Sequence, residues 1–87
     1  MRADNIYYHP NFSKSFKTLP QIIKEKAIKQ EAIFRQKVFD KRLNTHKLHG
    51  RLKDLWSFSI DNKYRIVFLV EKGKIVFLEV GDHDVYK

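Results

Sequence analysis

The last third of the chain, Leu55 to Lys87, constrains the fold most, because it contains three short runs rich in aromatic and β-branched residues. The runs are Leu55–Ile60, Tyr64–Glu71 and Lys74–Val80, and short polar segments separate them. Residues of these types favour strands, and polar connections of two or three residues join antiparallel neighbours. The sequence therefore predicts a three-stranded antiparallel meander.

The two faces of this meander differ in character if Asp61-Asn62-Lys63 forms a three-residue turn and Lys72-Gly73 a two-residue turn, because side chains alternate along each strand. One predicted face is bulky and suits a layer of helices: Trp56, Phe58, Ile60, Tyr64, Ile66, Phe68, Val70, Ile75 and Phe77. The other is smaller: Leu55, Ser57, Ser59, Arg65, Val67, Leu69, Val76, Leu78 and Val80. This register brings Arg65 beside two serines at the polar end of the second face.

The first half of the chain predicts a short strand and two helices. Ile6-Tyr7-Tyr8 is β-prone, and we expect it to add an edge strand to the meander. An apolar stripe at helical spacing follows, formed by Phe12, Phe16 and Leu19. Pro20 ends this helix, and residues 21–39 carry a second stripe: Ile23, Ala27, Phe34 and Val38, flanked by Ile22 and Ile33. The connection between these two predicted helices is short, and it therefore predicts an antiparallel helix hairpin.

A chain of 87 residues suffices for one domain, residues 1–87, with a modest core and a shallow surface cleft as any site. The predicted order, β-α-α-β-β-β, is an α+β two-layer fold in which the helix hairpin packs on a mainly antiparallel sheet of about four strands. The sequence lacks cysteine, an apolar run of the roughly 18 residues that span a membrane, and the apolar core of a signal peptide. We therefore expect a cytoplasmic protein without membrane contact.

The charge is concentrated in the first part of the chain. The net charge is +8, and residues 1–50 hold 11 basic and 4 acidic residues. Residues 40–54 form a predicted basic loop with the cations Lys41, Arg42, Lys47, Arg51 and Lys53 and with His46 and His49. Such an excess attracts polyanions, since neutralised phosphates release counterions. Nucleic acid, the ribosome or an acidic protein is the expected partner, and solubility alone is the simpler explanation.

Three motifs in order resemble the RelE/ParE superfamily of bacterial toxin–antitoxin toxins. They are Leu48–Ile60 (LHGRLKDLWSFSI), Tyr64–Phe68 (YRIVF) and Val80–Tyr86 (VGDHDVY). The resemblance covers nearly the whole chain. It implies a RelE-like fold and a type II toxin that acts as a ribosome-dependent mRNA endonuclease and inhibits translation. It also implies a cognate antitoxin, acidic or with a flexible wrapping segment, and mRNA on the ribosome as partners.

The resemblance also implies roles for individual residues. In the nuclease branches the 2′-hydroxyl of the RNA attacks the adjacent phosphate, which needs a base, a cation and an acid. Arg65 matches the strand arginine and would be the cation, and His83 would be the general acid. His46 would be the base, with His49 as a second candidate. Tyr86 would stack on a base or hold the phosphate, and the expected RNA-binding residues are Lys47, His49, Arg51 and Lys53.

The chain departs from the RelE branch at the first meander strand, where Ser57 and Ser59 stand at the positions of that branch's lysines. A histidine-based scheme, as in the YoeB- and YafQ-like branches, therefore fits better than a lysine-based one. We expect no metal and no other cofactor, although His46, His49, Asp82, His83 and Asp84 are possible ligand types.

Other interpretations stay open. A ParE-like toxin would inhibit DNA gyrase by binding and would cut no RNA. A non-enzymatic RNA-binding module of the same fold would tolerate loss of His46 and His83. Separately, the simpler interpretation of Arg65 is a strand-end arginine paired with Asp61 or Glu79.

Overall fold

Two helices pack on a five-stranded mixed sheet in the computed structural model, which describes residues 2–48 and 54–82. The elements in chain order are β1 (Ile6–Tyr8), α1 (Pro10–Lys17), α2 (Gln21–Gln36), a 3-10 helix (Lys41–Leu43), β2 (His46–Lys47), β3 (Leu55–Ser59), β4 (Tyr64–Glu71) and β5 (Lys74–Asp82). The strand order is β1-β5-β4-β3-β2, and only the β1–β5 pair is parallel among these. The predicted α+β two-layer class is confirmed.

The strand count is one higher than expected, because part of the predicted basic loop is structured. His46 and Lys47 form β2, a two-residue edge strand paired with β3, and residues 41–43 form the 3-10 helix. The predicted edge strand at Ile6–Tyr8 is confirmed as β1. The extent of the domain, residues 1–87, stays a prediction.

The predicted register of the meander is confirmed over most of its length, with one correction at Val80. Ser59 pairs with Arg65 and Glu71 pairs with Lys74, as the two turn lengths require. Between Phe68 and Val67, however, β5 contains one extra residue, a β-bulge. The bulge reverses the alternation beyond it. Val80 therefore pairs with Ile66 and lies in the core with the helices, 3 % exposed, so its assignment to the smaller face was wrong.

Phenylalanines form the centre of the core between α2 and the sheet. Phe34 of α2 is fully buried, and its ring lies 4.5 Å from that of Phe58 and 4.9 Å from that of Phe68, measured between centroids. The Phe77 ring on β5 completes this group at 5.6 Å from Phe34. Aromatic packing of this kind fixes α2 on β3, β4 and β5, and thereby fixes the strands that carry the polar cluster described below.

The second helix ends earlier than the apolar stripe predicts. It stops at Gln36, and Lys37 is extended, so Val38 enters the core from a non-helical segment. Ile22, expected at the flank of the core, is instead 62 % exposed. Among residues 2–48 and 54–82, no helix combines the length and the apolar character needed to cross a membrane.

The turn between β3 and β4 is stabilised by the Asp61 side chain. Its Oδ1 accepts hydrogen bonds from the backbone N–H groups of Lys63 (2.9 Å) and Tyr64 (2.8 Å), and Oδ2 lies 3.7 Å from Lys26 Nζ. Partial burial raises the pKa of Asp61, but the two backbone bonds and the Lys26 ammonium outweigh it. The net pKa is therefore below the ordinary value.

We expect Asp61→Ala to lower the free energy of unfolding by about 1–2 kcal/mol at pH 7, because two backbone donors lose a charged acceptor. A depressed folded-state pKa gives stabilisation that is present above the unfolded value of about 4 and is lost as the pH falls through the folded value. In urea unfolding, the difference in the free energy of unfolding between wild type and Asp61→Ala should therefore decrease as the pH is lowered. Asp4→Ala, at an exposed carboxylate, is the control. A difference in the free energy of unfolding between wild type and Asp61→Ala that does not depend on pH would contradict this account.

Candidate functional site

Arg65 on β4 is held by two serines of the neighbouring strand. Its Nε donates to Ser57 Oγ at 3.0 Å, and its Nη1 donates to Ser59 Oγ at 2.8 Å. The pairing of β3 with β4 places all three side chains on one face, and Ser57 is completely buried. Two directed hydrogen bonds from the planar guanidinium to one neighbouring strand fix its orientation. The serines thus act as anchors for the cation.

The third guanidinium nitrogen, Nη2, contacts the segment that carries His46. Arg65 Nη2 donates to the backbone carbonyl of Asn44 at 3.1 Å and lies 3.2 Å from His46 Nδ1. Both of these contacts are exposed, whereas the two serine contacts are partly buried. The contacts of Nε and Nη1 with the serines are thus more buried than the contacts of Nη2.

Local conformation explains why Asn44 and His46 reach Arg65. Asn44 ends the 3-10 helix in the left-handed conformation with φ 48°, which asparagine tolerates better than most residues. The chain then enters β2, where His46 pairs with Ser57 and so lies on the face of Arg65. The Leu43 side chain is fully buried, and Thr45 Oγ1 donates to the Val38 carbonyl at 2.6 Å.

The imidazole of His46 has two possible tautomers with different chemical consequences. Its Nδ1 lies 3.1 Å from the Asn44 carbonyl and 3.2 Å from Arg65 Nη2. With the proton on Nε2, Nδ1 accepts a hydrogen bond from Arg65. With the proton on Nδ1, the ring donates to the Asn44 carbonyl, and Nε2 carries a lone pair that can accept a proton. The second tautomer is competent as a general base.

The start of the 3-10 helix is capped by Asp40. Its Oδ1 accepts from the backbone N–H of Arg42 at 2.9 Å, and the Arg42 guanidinium binds both carboxylate oxygens, at 3.0 and 2.9 Å. The Arg42 side chain, followed by its backbone N–H, holds the pKa of Asp40 well below its usual range. The carboxylate is therefore ionised at neutral pH and available as a cap for the segment that leads to His46.

The structure places the expected site residues as follows. Arg65 and His46 come together, and their contact is the centre of the candidate site. Lys47 is exposed but pairs with Trp56, so strand alternation directs it to the opposite face. The remaining expected residues lie outside the described residues: His49, Arg51, Lys53, His83 and Tyr86.

The two carboxylates suggested as ordinary ion-pair partners of Arg65 have other contacts. Asp61 binds the backbone of its own turn and Lys26. Glu79 accepts a hydrogen bond from the Ser15 hydroxyl and another from the Val80 backbone N–H. Within residues 2–48 and 54–82, no three His, Asp or Glu side chains lie close enough together to hold a metal ion.

Asn44 is the site residue that sequence reasoning missed. Its contribution is a backbone carbonyl, which any residue possesses, so side-chain chemistry gave no sign of it. Asparagine tolerates the left-handed conformation of a turn better than most residues. That signal predicts a change of chain direction, but it does not predict a contact with Arg65, which is 21 residues away.

Solved structures with the same fold include chains of toxin–antitoxin complexes. A chain of the E. coli DinJ–YafQ toxin–antitoxin complex matches with a TM-score of 0.76 at 17% identity, covering 97% of this chain and 96% of that one. The archaeal RelE–RelB complex from Pyrococcus horikoshii OT3 gives 0.72 at 18% identity, with 94% and 96% covered. The YoeB dimer from Staphylococcus aureus gives 0.71 at 21% identity, with 95% and 99% covered. These similarities establish a RelE-like fold.

A family model identifies the class of protein. The model of the ParE toxin of the type II toxin–antitoxin system parDE matches residues 6–85. The chain therefore belongs to this toxin family, and the resemblance to the RelE/ParE superfamily is confirmed. A search of the curated proteins found no match.

Proposed function

We propose that this toxin is a ribosome-dependent mRNA endonuclease that cleaves by attack of a 2′-hydroxyl on the adjacent phosphate. The observation that supports the proposal most directly is the 3.2 Å contact between an anchored arginine and a histidine. This reaction needs a cation that stabilises the phosphate and a base that accepts the 2′-hydroxyl proton, both within reach of one nucleotide. The reaction requires neither metal nor cofactor, because the RNA supplies its own nucleophile.

Arg65 is the cation in this proposal, and His46 is the base. A guanidinium binds phosphate oxygens through parallel N–H groups, and the charge on those oxygens grows in the transition state. Of the two candidate bases, His46 is the one we favour over His49, because its imidazole contacts Arg65. His83 remains the proposed general acid, and Tyr86, Lys47, His49, Arg51 and Lys53 remain the proposed contacts to RNA.

The open geometry favours the ribosome as the agent that positions the substrate. Among residues 2–48 and 54–82, the His46 imidazole is exposed on the edge strand β2, and its contact with Arg65, which projects from the central strand β4, is exposed as well. A surface site of this kind contributes little orientation of its own, and orientation accounts for a large part of catalysis. We therefore propose that the protein acts in the cytoplasm on mRNA bound in the ribosomal A site.

Cleavage assays with purified protein test this function. Programmed ribosomes should support cutting within A-site codons, while the same mRNA without ribosomes should be cut far more slowly. Mapping of the ends identifies the codon position. Equal cutting of free and ribosome-bound mRNA would contradict the dependence on the ribosome, and a folded, growth-arresting protein that cuts neither substrate would contradict the nuclease assignment.

Inhibition of DNA gyrase is the second candidate, favoured by the match to a ParE family model over residues 6–85. A toxin of that kind acts by binding and needs no base beside its arginine. A supercoiling assay with purified gyrase distinguishes the two functions. We expect no inhibition at toxin concentrations that cut mRNA, and inhibition without RNA cleavage would replace the nuclease with this candidate.

A cognate antitoxin is the proposed protein partner. The support is twofold: solved structures of the same fold include toxin–antitoxin complexes, and this chain carries a net charge of +8. An acidic, flexible segment would be attracted to such a surface and would order on binding. Antitoxin binding should therefore weaken as the salt concentration rises.

The serine anchors provide a separate test of the site. We expect Ser57→Ala and Ser59→Ala each to lower kcat about tenfold, because a guanidinium with one anchor fewer samples orientations unsuited to the phosphate. KM should change less than kcat. Ser13→Ala, at an exposed α1 position, is the matched control. Cleavage at the wild-type rate by the Ser57→Ala/Ser59→Ala double variant would contradict the anchoring role.

A further inference from the structure

One side chain of α2 contacts both segments that meet at the candidate site. Gln30 Nε2 donates one hydrogen bond to the Arg42 carbonyl at 3.1 Å and another to the Ser59 carbonyl at 2.9 Å. Both partners are acceptors, so the amide orientation follows from chemistry, and its two N–H groups are both used. Gln30 is half-buried, and the bond to Ser59 is partly buried.

The two carbonyls belong to opposite halves of the Arg65–His46 contact. Ser59 is the last residue of β3, and its hydroxyl anchors Arg65. Arg42 lies in the 3-10 helix, two residues before Asn44, whose carbonyl accepts a hydrogen bond from Arg65 and lies 3.1 Å from His46 Nδ1. The Gln30 amide therefore joins the strand next to the cation with the segment that carries the base.

The other attachments of the His46 segment act at different points from the bonds of Gln30. Leu43 is buried, but apolar packing has no preferred direction. Strand β2 pairs with β3 over its two residues, and the Leu48 N–H next to it donates to the Leu55 carbonyl at 2.8 Å, while Thr45 binds the Val38 carbonyl, which lies outside the sheet. Two hydrogen bonds from a helix that is itself fixed by Phe34 are directional, and they set the distance between the 3-10 helix and the end of β3.

We propose that Gln30 is a positioning residue that holds His46 against Arg65. It does not touch the substrate. Its effect on cleavage rests on the proposed nuclease function, whereas its effect on the geometry of His46 does not. Displacement of a catalytic base by about 1 Å lowers rates by up to about 100-fold, so a residue of this kind changes kcat more than KM.

Two substitutions separate the hydrogen bonds of Gln30 from its packing. Gln30→Met removes both donors at similar length and helix propensity. Gln30→Lys retains N–H donors that can reach the two carbonyls. Gln36→Met, at an exposed position of the same helix, is the matched control. Thermal unfolding of all three confirms that each variant is folded.

The first readout is the pair of ring 15N chemical shifts of His46, measured by NMR on the toxin without RNA. These shifts report the tautomer and the hydrogen bond at Nδ1. We expect Gln30→Met to change them, Gln30→Lys to return them toward the wild-type values, and Gln36→Met to leave them unchanged. Unchanged shifts in folded Gln30→Met would overturn the proposal.

The second readout is cleavage on programmed ribosomes. We expect kcat of Gln30→Met to fall about 10- to 100-fold with KM within about twofold of wild type, and Gln30→Lys to recover most of the loss. Wild-type kcat in Gln30→Met would also overturn the positioning role. If the wild-type toxin cuts no RNA while the His46 shifts respond to Gln30→Met, the nuclease function fails and the positioning role stands.

Discussion

Arg65→Ala should lower the rate of mRNA cleavage by about 10²- to 10³-fold and abolish growth arrest, because it removes the group that stabilises charge on the phosphate. Arg65→Lys should restore only a minor part of the rate. A single ammonium keeps the charge, but it cannot bind both serine hydroxyls and the Asn44 carbonyl in the fixed geometry of the guanidinium. The measurement is kcat on programmed ribosomes, together with growth after induction.

The fold should survive this substitution. Arg65 is half-buried on the sheet face opposite the phenylalanine core, and its loss leaves Ser57 without one hydrogen bond, at a cost of about 1 kcal/mol. Antitoxin binding should therefore persist. Lys74→Ala, which removes one positive charge from an exposed position at the far end of the sheet, controls for net charge. A folded Arg65→Ala toxin that arrests growth as wild type does would contradict the phosphate role.

His46→Gln should lower kcat by about 10²- to 10⁴-fold with little change in KM, because the glutamine amide has similar reach but cannot accept a proton. His46→Ala should show the same loss. Since the imidazole is exposed, free imidazole in solution should reach the vacated position and restore part of the activity of His46→Ala. Recovery that rises with the concentration of the neutral form identifies a general base.

A second histidine provides the control for this experiment. His9 caps α1 by accepting a hydrogen bond from the Asn11 backbone N–H at 3.0 Å, and asparagine is itself a good cap. His9→Asn should therefore keep full activity. Loss of substrate binding in His46→Gln with unchanged kcat would make His46 a binding residue. Full activity of His46→Gln, combined with inactivity of His49→Gln, would transfer the role of base to His49.

Hydrophobic periodicity was sufficient to predict the main layers of the fold. Strand-favouring runs joined by short polar turns over residues 55–80 predicted the meander, and helical spacing of apolar residues predicted two helices. These elements are confirmed, and the register is confirmed except beyond the bulge in β5. The bulge opposite Val67 was not predictable, because one extra residue in β5 changes no local propensity. The bulge places Val80 in the core, and its presence is evident only from the strand pairing of the complete sheet.

The candidate site was predictable in part. The register alone placed Arg65 beside Ser57 and Ser59, and the structure confirms that proximity. The proximity of His46 depends on β2, whose two residues are too few to produce a recognisable strand pattern. The Gln30 amide binds backbone carbonyls 12 and 29 residues away, and the Asn44 carbonyl binds Arg65, 21 residues away. Neither residue type predicts these partners, because every residue has a backbone carbonyl.

The chemistry of the cut tests the central claim most directly. Two programmed ribosome complexes would be prepared with the same mRNA, one all-ribose and one with a single 2′-deoxynucleotide at the 5′ side of the mapped A-site cut. The account predicts cleavage of the first, with a 5′-hydroxyl on the downstream fragment, and no cleavage of the second at that bond. Cleavage of both substrates, or a 5′-phosphate on the downstream fragment, would contradict attack by the 2′-hydroxyl and with it the roles proposed for Arg65 and His46.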